Sequence, residues 1–373
     1  MRNAFTEYYV LTEKEIDKLW KEGLIVFDTN VLLKLYQLSH EAQNEILSAM
    51  KSYKERLWLP HQVGYEYHER RLEKATAPIE SLQGLEKRIE DFENNIKNTY
   101  SNNPYVDFKK LESVLKAFKT KVGKLSSEWL KECPKPIYED SILESLTKLF
   151  DGKVGKEYDE SRLATIYKEG NERYGKSIPP GYKDAGKPGG DRHRFGDLII
   201  WLQIIEQSKK EDKDIIFVTD DCKEDWWSVY KDDKLGPRRE LIREFRKETN
   251  NHLIWFYTTG RFLKNAKTKL GAPVKTKTID EVKRQALNWS TLMGINSEPG
   301  QISWSSLGLQ HALGLDESDP YGVGQTAKLV AEASDKIHTI TKPLAALFTD
   351  AISKPIADAS DDSKPVNEEN KGE

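Results

Sequence analysis

The strongest constraint on this chain is a set of short apolar runs with almost no polar interruption. Leu24-Ile25-Val26-Phe27, Asp214-Ile215-Ile216-Phe217-Val218 and Leu253-Ile254-Trp255-Phe256-Tyr257 are rich in β-branched and aromatic residues, and none alternates with polar ones. Such runs read as strands buried on both faces, as in a parallel sheet. Leu57-Trp58-Leu59, stopped by Pro60, is a shorter candidate. Helical spacing fills the intervals: about Val31 to Tyr53, about Pro60 to Asn98, Gly196 to Ser208, and Pro237 to Thr249 with Pro in its first turn. Thr12 with Glu15 forms a capping box at the first helix, which Gly23 closes. Strands alternating with helices predict an α/β fold around a central parallel sheet over about residues 1–270.

The stretch from about 85 to 185 holds helix candidates (Asp107–Lys131, Asp140–Phe150, Glu157–Glu169) and no good strand, which predicts a helical insertion. Gly271-Ala272-Pro273 is a linker candidate. A C-terminal extension, 271–357, follows with helix candidates at Glu281–Leu292 and Gln325–Ile340, and the acidic tail 358–373 is expected to be disordered.

Composition narrows the classes. Of the 373 residues, 58 Lys and Arg against 61 Asp and Glu leave a net charge of −3, so the chain is neither a basic nucleic-acid coat nor an acidic mimic. Cys133 and Cys222 cannot build a disulfide framework or a cysteine zinc site, and His61, His68 and His193 show no zinc spacing. The start of the chain has no apolar signal region, and the Leu198–Ile205 stretch is far short of the roughly 20 residues of a membrane span. The expectation is a cytoplasmic protein without a membrane partner.

Acidic residues stand at element ends. Asp28 follows the first strand, Glu66 lies early in the helix after Pro60, Asp197 opens the apolar helix, and Asp220 and Asp221 follow the Ile215–Val218 strand with Asp225 close behind. In open α/β sheets ligands bind beyond the carboxyl ends of the strands. Strand ends and helix starts would gather these acids at one rim. Clustered carboxylates resist ionisation unless a cation neutralises them, and hard divalent ions suit oxygen ligands. Phosphodiester hydrolysis uses that arrangement. Taken singly, each Asp also reads as a helix N-cap.

Together these residues resemble the PIN-domain nuclease superfamily. The resemblance is carried by Ile25-Val-Phe-Asp28-Thr-Asn30-Val-Leu-Leu, Leu59-Pro60-His-Gln-Val-Gly-Tyr-Glu66, Gly196-Asp197-Leu-Ile-Ile-Trp201 and Ile216-Phe-Val-Thr219-Asp220-Asp221-Cys-Lys-Glu-Asp225-Trp226-Trp227, and it covers about residues 20–260. It implies an α/β/α sandwich with a central parallel sheet and a nuclease site using Mg²⁺ or Mn²⁺. By position, Asp28, Glu66, Asp197 and Asp221 become the catalytic acids. Asp28, Asp197 and one or more of Asp220, Asp221 and Asp225 become metal ligands. Asn30 and Thr219 become the residues that orient the acids or water. The gap from Glu66 to Asp197 is longer than in compact members, because it contains the helical insertion.

Arg192 and Arg194 beside Asp197, and Arg238 and Arg239, are candidate substrate contacts. Arg261, Lys264, Lys267, Lys269, Lys275 and Lys277 form a basic run without Asp or Glu, read either as a nucleic-acid footprint or as a basic linker. Trp226-Trp227 is expected to pack at the core edge. Other phosphate enzymes fit less well. An aspartyl phosphatase would want a second Asp where Asn30 stands, and neither Gly-x-Gly-x-x-Gly nor a P-loop is present. The expected activity is metal-dependent (endo)nuclease cleavage of RNA or DNA. The alternative is a catalytically silent PIN-like scaffold that binds nucleic acid or a protein. The helical insertion is read as a lid, a substrate clamp or a dimer surface, the C-terminal extension as a restraint on activity, and a regulatory protein partner or a homo-oligomer is a further expectation. The nearly isosteric Asp28→Asn is expected to remove cleavage and leave the fold intact.

Overall fold

A computed structural model describes residues 1–230 and 233–294. The Gln325–Ile340 helix candidate, the rest of the extension past 294 and the acidic tail lie outside them. Helix α1 (Glu13–Glu22) opens on the expected Thr12–Glu15 capping box and leads into strand β1 (Leu24–Phe27). Gly23 between them is not left-handed. Glycine is needed there because a Cβ would lie 2.6 Å from the Leu19 carbonyl oxygen. Helices α2 (Thr29–Lys34) and α3 (His40–Ser52) divide the single helix expected from 31 to 53. The chain extends at Leu38 and Ser39, and the Ser39 hydroxyl caps α3.

Strand β2 (Leu57–Trp58) precedes α4 (His61–Gln83), which gives way at Gly84 to α5 (Leu85–Tyr100). Then come α6 (Phe108–Glu132), α7 (Ser141–Phe150), α8 (Glu160–Gly175), the short α9 (Asp191–Arg194) and α10 (Gly196–Glu211). Strand β3 (Ile215–Val218) is followed by a hairpin, β4 (Trp227–Tyr230) and β5 (Asp233–Pro237), that the sequence reading lacked. Pro237 is therefore the last residue of a strand rather than the first turn of a helix, and α11 runs Arg239–Glu248. Strand β6 (Ile254–Tyr257) leads to the hairpin of α12 (Thr259–Leu270) and α13 (Thr276–Gly294).

The main sheet has the order β2-β1-β3-β6 with every pair parallel, and it is flanked by helices in an α/β/α arrangement. Parallel strands covered on both faces explain the unbroken apolar runs. All four residues of β1 and of β3 are buried. Trp201, Trp226, Phe217 and Phe256 pack edge to face or tilted beside β3, with ring centroids 5.3–6.4 Å apart. Such aromatic pairs add about 0.5–1.5 kcal/mol each beyond burial.

Two features of the sheet set the site. Its hydrogen bonding runs past the strand ends: the Asp28 amide donates to the Val218 carbonyl and the Thr219 amide to the Tyr257 carbonyl, both at 2.9 Å. That fixes Asp28 and Thr219 side by side. The Gln62 amide, in the first turn of α4, donates to the Gln203 side chain on α10 at 3.1 Å, which ties the two helices that carry Glu66 and Asp197. No described helix is long and apolar enough to cross a membrane.

Candidate active site

Asp28 ends β1 and caps α2. One carboxylate oxygen accepts the Thr29 amide at 2.7 Å; the other accepts the Thr219 hydroxyl at 2.6 Å and the Asn30 side-chain amide at 2.5 Å. The cap reading and the site reading of Asp28 therefore hold together. Asn30 also accepts the Asp220 amide at 3.0 Å, and the Thr219 hydroxyl accepts the Asp221 amide at 3.0 Å. Asn30 and Thr219 thus lock the loop after β3 onto the end of β1.

Glu66 faces this group from α4. Its carboxylate accepts from the Thr29 hydroxyl at 3.1 Å and from the Gln62 side chain, one helical turn earlier, at 2.9 Å. Gly196 gives it room: a Cβ at 196 would sit 2.5 Å from a Glu66 oxygen. In the Gly196-Asp197 pair, glycine makes space for one acid and Asp197 supplies the next. Asp197 accepts the Trp226 indole N–H at 3.2 Å. Asp221 accepts the Lys223 amide at 2.8 Å, a local turn that holds its carboxylate in place.

The electrostatics follow from this crowding. Burial pushes the Asp28 carboxyl up to about 7; the Thr219 hydroxyl opposes the shift, and Glu66 and Asp221 add to it. Burial also raises the Asp197 carboxyl well above the ordinary range, with Asp221 next in effect and Lys223 pulling the other way. Carboxylates brought this close cannot all ionise cheaply.

The sequence reading missed the cation inside the cluster. Lys223 Nζ lies 2.9 Å from Asp184, 3.2 Å from Asp221 and 3.8 Å from Asp197. Burial lowers its ammonium, but Asp197, Asp221 and Asp184 together outweigh burial and raise it above its ordinary value. Its place two residues after Asp221 was a usable signal. Asp184, in the loop between α8 and α9, had none, because only the fold brings it near. Gln62 was legible as a residue four before Glu66 on one helix face.

Asp220 faces elsewhere. Its oxygens accept the Thr259 amide and hydroxyl, each at 2.8 Å, and pair with Lys34. Burial opposes ionisation, yet Lys34 and Thr259 hold the carboxyl below its ordinary value. Asp225 is fully buried and accepts the Gly181 and Lys183 amides at 3.0 and 3.2 Å, which braces the loop that carries Asp184. Burial raises its carboxyl too. Of the open set Asp220, Asp221 and Asp225, Asp221 acts on both Asp28 and Asp197, Asp225 is coupled to Asp221 and keeps one buried oxygen without a hydrogen bond, and Asp220 turns to Lys34 and Thr259.

The four arginines separate as well. Arg192 stacks 3.7 Å from the Tyr65 ring centroid and donates to Gln62 at 3.1 Å and Glu157 at 3.2 Å, next to the group that orients Glu66. Arg194 lies over the Phe195 ring. Arg238 is held by Glu240, Tyr182 and the Glu224 carbonyl, and Arg239 lies over Tyr8. The structure brings Arg192 alone of these beside the acids' supporting residues.

With this geometry, the chain matches a family model described as a PIN-like domain over residues 24–241, from the start of β1 into α11. The match covers more than half of the chain, and the chain belongs to this family, which lies in a nuclease superfamily. No curated protein and no solved structure matches it.

Proposed function

We propose that this chain is a metal-dependent nuclease that hydrolyses phosphodiester bonds of RNA or DNA at the carboxyl rim of β1 and β3. The observation that carries the reading is the gathering of Asp28, Asp197 and Asp221, with Glu66 alongside, into a like-charged group in which Asp28 and Asp197 resist ionisation. A fold keeps such a group where the charge is used, since it costs stability.

The donor set fits a hard cation: every candidate ligand is a carboxylate oxygen, and the position already draws the positive charge of Lys223. Among the described residues no three His, Cys, Asp or Glu side chains form a ready-made ion cage. Asp28, Asp197 and Asp221 would hold Mg²⁺ or Mn²⁺, with Glu66 completing the set. When bound, such an ion supplies an activated water and screens the phosphate. The remaining work falls to the chain. Asn30 and Thr219 prevent Asp28 from turning. Gln62 and Thr29 aim Glu66, which orients the attacking water and accepts its proton. The Trp226 indole holds Asp197, and Arg192 offers a guanidinium to a phosphate oxygen.

The second reading, a silent scaffold that binds nucleic acid or a protein, draws on the same Lys223, whose ammonium partly neutralises the acids without any metal. Cleavage of labelled RNA and DNA with Mn²⁺, Mg²⁺ or EDTA separates the two. Asp28→Asn is the poorer variant here. An amide at 28 would turn N–H groups toward the Asn30 amide or lose acceptors for Thr29 and Thr219, so the change is not structurally neutral. Asp197 accepts one hydrogen bond, from Trp226, which an asparagine oxygen keeps. Metal-dependent cutting that disappears in Asp197→Asn supports the nuclease. A folded wild type that neither cuts nor takes up Mn²⁺ in titration calorimetry leaves the scaffold.

A further inference from the structure

Two lysines meet the acids that follow β3, and the fold holds them differently. Lys34 pairs with Asp220 and has only 11% of its side chain exposed. Lys223 keeps 36% exposed, although its ammonium stands among three carboxylates. An ammonium carries three N–H donors. Asp184 at 2.9 Å and Asp221 at 3.2 Å lie within hydrogen-bond distance of it, and Asp197 at 3.8 Å does not. One donor therefore has no acceptor among the described residues, on a side chain that reaches solvent. The side chain is also fixed at both ends. The Lys223 amide donates to one Asp221 oxygen at 2.8 Å while the ammonium stands by the other.

Asp184 reaches the ammonium from the loop between α8 and α9, and that loop is anchored beside the acids. The buried Asp225 accepts the Gly181 and Lys183 amides, and the Asp184 amide donates to the Gly181 carbonyl at 2.9 Å. A Cβ on left-handed Gly181 would lie 3.1 Å from the Asp197 Cβ, so the loop packs directly on Asp197. Lys187 stands 3.3 Å from the second Asp184 oxygen, which leaves the first for Lys223. We propose that Lys223 binds the scissile phosphate as a second positive charge beside the ion, and that Asp184 is the positioning residue that keeps its ammonium at the rim. The inference rests on the nuclease reading for the ion and the substrate, and adds a residue of the chain that meets that substrate. Asp197 and Asp221 link the two charges, because they would hold the ion and they face the ammonium. Carboxylates alone repel a phosphate. An ion and a lysine together reverse the sign, and a compact ammonium donor suits an oxygen on which negative charge grows. The later half of the basic run after β6 has other work: Lys269 pairs with Asp17, and Lys275 and Lys277 pair with Glu41, which ties the α12–α13 hairpin to α1 and α3.

The test is equilibrium binding, kept apart from cutting. Full-length protein is titrated with Mn²⁺ in calorimetry, and with labelled single-stranded RNA and DNA across a salt series with Ca²⁺ in place of Mn²⁺. Wild type is compared with Lys223→Gln, Lys223→Arg, Asp184→Asn and the double variant Asp184→Asn/Lys223→Gln. Lys223→Gln should move the two ligands in opposite directions: Mn²⁺ binds a few-fold tighter, while the oligonucleotide binds about tenfold weaker and loses roughly 0.7 from the slope of log K against log salt, the share of one phosphate contact. Lys223→Arg should keep the wild-type slope. Asp184→Asn removes a negative charge, which by itself favours a polyanion, yet it should weaken the oligonucleotide a few-fold with Lys223 present and not in the Lys223→Gln background. An equal effect in both backgrounds overturns the positioning role. An unchanged slope in Lys223→Gln overturns the phosphate contact even if the protein cuts, and so does a loss of Mn²⁺ binding in that variant, which would make Lys223 a prop for the ion's site. A wild type that loses slope in Lys223→Gln but never cuts with Mn²⁺ or Mg²⁺ overturns the nuclease reading and leaves the phosphate contact.

Discussion

Asp220 and Asp221 leave β3 in succession and end in opposite company. Toward α12, Asp220 meets Lys34 and two donors from Thr259, and its carboxyl stays below the ordinary range. Toward α10, Asp221 meets Asp28 and Asp197, with Lys223 shared among Asp184, Asp197 and Asp221. On one side the chain satisfies its own charge and uses it as a joint between β3, α2 and α12. On the other it leaves negative charge in excess. Two identical side chains, one peptide bond apart, differ in what the fold supplies to them: one is neutralised as part of the framework, the other is left in a like-charged group.

The contrast can be broken most sharply by activity. Asp221→Asn should lower metal-dependent cleavage by on the order of a hundredfold or more while unfolding at the wild-type denaturant concentration, since supporting residues of metal sites alone account for about 10–100-fold. Cleavage at the wild-type rate would remove Asp221 from the site. Asp220→Ala should do the reverse. Removing one partner of a buried pair strands Lys34, at a cost of about 3 kcal/mol in urea unfolding. A variant that unfolds like wild type would refute the framework role.

A smaller effect is expected in the pH dependence. Asp28 has a folded value of about 7, against about 3.9 for an unfolded aspartate. Its folded form holds a proton that the unfolded form has released. The stability this gives is fully present below about pH 4 and is lost as pH rises to about 7, on the order of a few kcal/mol. Metal-free thermal melts should show that decline from Asp28, Asp197→Asn should make it shallower by relieving like charge, and added Mg²⁺ should restore stability near pH 8. A decline of equal steepness in wild type and variant would count against electrostatic coupling of the two acids. The smallest effect is expected from Lys223→Gln. Losing the resident cation should tighten Mn²⁺ binding a few-fold in calorimetry, because the ion no longer competes with an ammonium. Weaker binding would mean that Lys223 supports the ion rather than opposing it.

The sheet was legible wherever strands are covered on both faces. The runs at β1, β3 and β6 carry no charged residue, and all but the half-buried Trp255 are buried. The β4–β5 hairpin was not legible, because Ser228, Lys234 and Gly236 break its pattern and Pro237 imitates a helix start. One helix was expected between 31 and 53, where local spacing stays helical although Leu38 and Ser39 extend. Asp28, Glu66 and Asp197 were readable from their positions at element ends. The choice between Asp220 and Asp221 was not, since it depends on Lys34 and Thr259, one far upstream and the other far downstream. Asp184 and Lys223 meet only through tertiary contact.

The helical excursion has a consequence of its own. Arg71 on α4 and Asp140 before α7 meet at 2.9 Å, and the same Asp140 oxygen accepts the Tyr36 hydroxyl at 2.7 Å. Between those residues only Ala75, Ile89 and Ser126 are buried. The chain therefore leaves and re-enters the body of the fold at one stapled doorway. For such an excursion, doubling the length costs the rest of the molecule only about 0.6 kcal/mol. Sequences between 72 and 139 can be shortened, lengthened or exchanged for another module while the doorway stays shut. The fold thus carries a socket in which new recognition surfaces can be tried without disturbing the carboxylates at its rim.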